Sequence, residues 1–186
     1  MLFRSVDEAS AAYRAAWDVS SVDTIFAEAA AHLASQGHPA AAEEFFLRAI
    51  EHDPDDIAVR GNYGSCLEAL GRHEEAEASY RAILARAADD ATALNALAFL
   101  IATRRPRDAA EALDMARRAC RLTGDADAAI LDTLATALAA TGDFTEATRV
   151  AEQALRRSRQ EGDEGLSREI DDHLRRFRLG KPLVAP

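Results

Sequence analysis

Five histidines, two cysteines and several paired acids are the residues of this 186-residue chain whose types permit chemistry. A zinc site needs three or four nitrogen, sulfur or carboxylate donors converging on one point. His32, His38, His52, His73 and His173 are scattered, and no two share a helical face with a carboxylate in metalloprotease order. Cys66 and Cys120 lie far apart and outside any CxxC spacing, so they read as small apolar residues of a reducing compartment. No phosphate-cradling glycine loop and no nucleophile elbow occurs. The pairs Glu43-Glu44, Asp55-Asp56 and Glu74-Glu75 fall at helix starts or in turns, where negative charge favours the helix N-terminus. The tracts Arg104-Arg105-Pro106-Arg107 and Arg156-Arg157 read as solvated helix ends. These residues form no catalytic set and no metal-ligand set, and no cofactor is expected. Function must then come from surface shape, and shape from the elements that carry these side chains.

The stretch "GHPAAAEEFFLRAIEHDPDD", from Gly37 to Asp56, shows what those elements are. Gly37 and Pro39 open it, and Asp53-Pro54 closes it, because proline disfavours helical geometry in the residue before it. Ala42, Phe46, Ala49 and Ile50 recur at helical spacing on one face. One helix of this length is marginal in water and must bury that stripe on a neighbour. Hydrophobic residues make up 48% of the chain but aromatics only 6%, and alanine is unusually abundant. Small side chains with high helix propensity let helices approach closely. No alternating strand pattern of useful length is present, so the predicted fold class is all-α.

Net charge is −10 and uneven: residues 1–103 carry 7 Lys and Arg against 17 Asp and Glu, whereas residues 104–186 carry 15 of each sign. An acidic surface excludes binding to a phosphate backbone and prefers basic partners. The first ten residues lack the apolar run of a secretory signal, and no stretch is long and apolar enough to span a bilayer. A cytoplasmic protein with no nucleic-acid and no membrane partner is expected.

The opening stretch then returns. A step of 34 residues takes Ala30 to Gly64, Leu33 to Leu67, Gly37 to Gly71, Ala42 to Ala76, Phe46 to Tyr80 and Asp56 to Asp90. A further step reaches Ala98 and Ile101, and after three extra residues Ala135, Leu138 and Gly142. Each copy is a helix pair, with small residues where its two helices touch and large ones toward the next pair.

This period and small/large pattern resemble the tetratricopeptide repeat (TPR) family. The resemblance implies a right-handed α-solenoid of antiparallel helix pairs, a TPR superhelix. The copies would be residues 23–56, 57–90, 91–127 (with an insertion) and 128–159. A helix over residues 1–22 would precede them, with Ser5-Val6-Asp7-Glu8 as capping box and Ala9, Tyr13, Ala16 and Trp17 on one stripe. A capping helix and tail over 160–186 would follow, with Leu166, Ile170, Leu174 and Phe177 on one face, as bacterial repeat proteins often end. The sequence departs from the family pattern at Arg60, where a large apolar residue is usual, at Ala116 and Ala151, which replace an aromatic, and at Arg105, which replaces the turn glycine.

The resemblance also implies a concave groove lined by the first helix of each pair, where peptides bind. Its positions here are Thr24, Ala27, Glu28 and Ala31; Ala58, Gly61, Asn62 and Ser65; Thr92, Asn95 and Phe99; and Ala129, Asp132, Thr133 and Thr136. The asparagine amides can pair with both N–H and C=O of an extended peptide. Family members that hold a C-terminal carboxylate use a basic clamp, whereas the chain's single lysine is Lys181 and the corresponding groove positions are neutral or acidic. A basic or apolar peptide, or a partner helix, is the expected ligand of a non-enzymatic adaptor or scaffold. Two alternatives remain: self-assembly of acidic front onto arginine-bearing rear, and a recruiting or regulatory subunit for an enzyme on another chain.

Overall fold

Each amphipathic run forms a helix that ends where its turn residues stand. The computed structural model describes residue 6, residues 10–13 and residues 25–183. Within these, all long elements are helical: α1 Ile25–Ser35, α2 Pro39–His52, α3 Ile57–Ala69, α4 His73–Arg86, α5 Ala91–Arg104, α6 Ala109–Thr123, α7 Ala128–Ala140, α8 Phe144–Glu161 and α9 Glu164–Arg178. Most of the expected leading helix, including Ser5, Asp7, Glu8, Ala9, Ala16 and Trp17, lies outside the described residues, as does Thr24.

Aspartates start many of the helices. Asp56 accepts from the Val59 N–H, Asp90 from Ala93, Asp127 from both Ala129 and Ile130, Asp143 from Glu146 and Asp163 from Leu166. Each satisfies a backbone donor that the first turn leaves unpaired. Gly37, Gly71 and Gly142 close the first helix of three pairs at φ of 79°, 74° and 89°. That left-handed geometry lets the chain reverse within a few residues. Arg105 cannot adopt it cheaply. It leaves α5 at φ −128°, and a short 3-10 turn over Pro106–Asp108 makes the reversal instead.

The chain divides into two compact units, residues 1–83 and 84–186, with the boundary inside α4. In the first unit α1 packs on α2 and α2 on α3. Its core holds Phe26, Ala29, Ala30, Leu33, Ala42, Phe45, Phe46, Ala49, Val59 and Cys66. Phe45 lies off the stripe read from sequence, yet it is fully buried in this core, and the Tyr13 ring meets it edge-on at 6.0 Å. Val6 also packs against this core. Where α3 meets α4, Gly64 faces Tyr80 so closely that an added Cβ would sit 2.5 Å from its Cε1.

In the second unit α5, α6, α7, α8 and α9 each pack on the next, and α5 also touches α7. Ala112, Ala116 and Ala119 on α6 and Ala147, Ala151 and Ala154 on α8 are all fully buried. These alanines let the paired helices cross closely where other copies carry an aromatic. Ile170, Leu174 and Phe177 of α9 join the same core, with Leu166 partly buried beside them.

Candidate peptide-binding site

In the first unit three of the groove positions read from sequence line one cavity. Ala31 on α1 and Asn62 and Ser65 on α3 are exposed and line a space of about 560 Å³. Ala34, Phe46, Cys66 and Ala69 give it an apolar floor, and Ser35, Gly37 and Pro39 of the α1–α2 turn complete the rim. A volume of this size suits a ligand side chain together with its backbone. Glu28 is exposed on α1 one turn before Ala31, and Ala27, Ala58 and Gly61 lie on the same two helices.

The polar groups at this cavity are fixed from behind. Tyr80 is buried, and its hydroxyl donates to Glu68 Oε1 at 2.6 Å. Ser65 Oγ lies 3.3 Å from the Tyr80 oxygen and 3.4 Å from the Gly61 carbonyl. Burial, and then the Glu68 carboxylate, raise the Tyr80 pKa well above that of an ordinary phenol. The Cys66 thiol donates to the Pro39 carbonyl at 3.2 Å, and burial raises its pKa too. Cys120 in the second unit is pushed up to about 11, first by burial and then by Asp125 and Asp127. Both cysteines are free and buried, and both stay protonated near neutral pH.

The second unit treats its groove positions differently. Thr92 and Ala129 are exposed, and Asn95 and Phe99 are half-buried. Phe99 packs against the core of this unit. Asn95 Oδ1 is buried without a hydrogen-bond partner among the described residues. Asp132, Thr133 and Thr136 are buried rather than open, and α9 packs against α7 here. Asp132 Oδ2 lies 2.7 Å from His173 Nδ1 on α9. Burial disfavours the charged His173 ring, but the bond to Asp132 and its charge, with Glu169 and Asp172 adding, outweigh it, and the pKa of His173 is raised. Asp132 thus fastens the last helix instead of facing a ligand. Thr136, at 1% exposure, has no surface to offer one.

Neither the His173 pairing nor the Tyr80–Glu68–Ser65 chain emerged from the sequence reading. A signal existed for each. His173 lies three residues after Ile170 and four before Phe177, at the edge of the buried stripe, and a tyrosine in a buried aromatic position must find a polar partner.

No group of three or more His, Cys, Asp or Glu among the described residues is arranged to hold a metal ion. No described helix is long and apolar enough to cross a membrane.

Residues 33–100 match the family model described as tetratricopeptide repeat. Solved structures share the fold. A thermophilic TPR protein of Thermus thermophilus is 18% identical at a TM-score of 0.67, each chain covered over 80%. YrrB, described as a TPR protein with an unusual peptide-binding site, is 14% identical at 0.61, with 94% of each chain covered. The O-GlcNAc transferase of Thermobaculum terrenum (K341M mutant) is 18% identical at 0.60, over 86% of this chain but 27% of that one. No curated protein matches the sequence. Residues 33–100 therefore match the tetratricopeptide repeat, and the chain has the all-α solenoid fold of TPR proteins.

Proposed function

We propose that this protein is a non-enzymatic interaction module, an adaptor or scaffold, that seats a peptide or helix of a protein partner against the first helices of its repeats. One observation supports this above the others: Ala31, Asn62 and Ser65, from two successive copies, share one cavity with an apolar floor. The partner segment is basic or apolar. Residues 1–83 carry 6 Lys and Arg against 15 Asp and Glu, so a carboxylate would meet repulsion there. Asn62, Ser65 and Ala31 make the principal contacts, with Glu28 one turn away on α1, and Asn95 and Phe99 hold the equivalent register in the third copy. Asp132 and Thr136 are left out of the contact set by their burial. Free buried cysteines suit a cytoplasmic setting.

A second reading, recruitment to an enzyme, has one observation in its favour: this chain matches only 27% of the O-GlcNAc transferase chain, so the same fold there forms a part of a larger enzyme.

The test is a titration of the partner recovered by affinity capture against wild type and the Asn62→Ala variant at two salt concentrations. Loss of this amide should weaken binding by about 0.5–1.5 kcal/mol while the fold is retained. Affinity should fall as salt rises. Equal affinity under all four conditions would place the partner on another face.

A further inference from the structure

The cavity of the first unit presents a serine oxygen whose inward contacts leave it an acceptor for a ligand. This inference rests on reading that cavity as the binding surface. A carboxylate only accepts, so the Tyr80 proton is committed to Glu68 Oε1, 2.6 Å away. Ser65 has one proton and two acceptor lone pairs. Its inward neighbours are the Tyr80 oxygen at 3.3 Å and the Gly61 carbonyl at 3.4 Å. Tyr80 has no proton left to give and a carbonyl has none, so a hydrogen bond from Ser65 to either of them uses the serine's own proton. Ser65 Oγ, exposed at the cavity, then faces a ligand as an acceptor. The floor beside it is carbon, from Ala34, Phe46 and Ala69. The surrounding unit carries a large excess of acids.

We propose that this cavity seats a cationic side chain with an aliphatic stem, an arginine or lysine of the partner. Its stem lies on Ala34, Phe46 and Ala69, and its N–H group donates to Ser65 Oγ. Ser65 is the residue that sets this specificity, and Tyr80 and Glu68 position it. A purely apolar side chain fills the floor but leaves Ser65 Oγ unpaired. A carboxylate brings a second acceptor to it, which is repulsive.

The experiment uses the full isotope-labelled chain, titrated by NMR with capped tripeptides Ala-Xaa-Ala, where Xaa is arginine, citrulline or norleucine. The arginine peptide should shift the Ala31, Asn62 and Ser65 amides and bind about fivefold more tightly than norleucine, as expected for one hydrogen bond to a charged donor. Citrulline should fall between them. Ser65→Ala should abolish the arginine preference, Ser65→Thr should retain it, and Tyr80→Phe should reduce it about twofold or more by removing one of the two inward acceptors of the serine proton. If the three peptides bind equally at these amides, the cavity is a binding surface but the acceptor proposal is wrong. If arginine is preferred equally in wild type, Ser65→Ala and Tyr80→Phe, diffuse acidity sets the preference and the proposal is again overturned. If no peptide moves these amides, the cavity itself is not the site.

Discussion

Gly64→Ala adds a single methyl group where α3 closely approaches α4. The new Cβ would lie 2.5 Å from Tyr80 Cε1, 2.7 Å from Cζ and 3.1 Å from Cδ1. All three atoms belong to one rigid ring. That ring cannot swing away freely, because Tyr80 is 2% exposed and its hydroxyl is tied to Glu68 and Ser65. Overpacking of this kind costs about 1–3 kcal/mol. Against it stands the gain from replacing glycine by alanine inside a helix, roughly 1 kcal/mol. With the ring held and the approach at 2.5 Å, the overpacking cost falls at the top of its range, about 2–3 kcal/mol, so the net expectation is a loss of about 1–2 kcal/mol. For a chain of this size that lowers Tm by roughly 3–6 °C. Urea denaturation and thermal melting followed by circular dichroism measure it, in a cycle with Tyr80→Leu. With the ring removed, the same methyl should be neutral or stabilising. A Gly64→Ala protein as stable as wild type, or one destabilised equally with and without the Tyr80 ring, would refute the close approach as the reason for glycine at this position.

Three further outcomes follow from single contacts. Ala30 is completely buried between α1 and its partners, so Ala30→Leu should lose about 1–3 kcal/mol in the same denaturation assay. Asp127 accepts from two backbone N–H groups at 2.9 and 3.0 Å, and Asp127→Ala should cost about 0.5–2 kcal/mol, measured by urea midpoint at constant m-value. His173 has a folded-state pKa above its unfolded value, so its bond to Asp132 contributes full stability below the unfolded pKa, and that contribution is lost as pH rises through the folded one. The stability difference between wild type and His173→Gln should therefore shrink as pH rises from the ordinary histidine value of about 6.5 through the raised folded pKa. A difference that grows with pH would contradict the sign.

What the sequence determined by itself is the repetitive, local part of the protein. A 34-residue period, turn glycines at Gly37, Gly71 and Gly142, capping aspartates and stripes of small and large residues are each legible within one helix pair. They fix helix boundaries and the contacts inside a pair, because helical spacing and turn geometry depend only on near neighbours. Ala31, Asn62 and Ser65, which share one cavity, were named by carrying the family resemblance over in register. Contacts between pairs could not be read in that way. Asp132 occupies the same register as Asn62 and Asn95, yet α9 brings His173 onto it from 41 residues away and buries it. Phe45 meets a tyrosine 32 residues earlier, at a position that its own helix would leave on the margin. Ser65 Oγ meets the Tyr80 hydroxyl, which is itself tied to Glu68. A repeat assigns equivalent positions equivalent roles, whereas burial and hydrogen-bond direction depend on whichever non-repeating residue packs against each one, and only the tertiary structure brings those residues together.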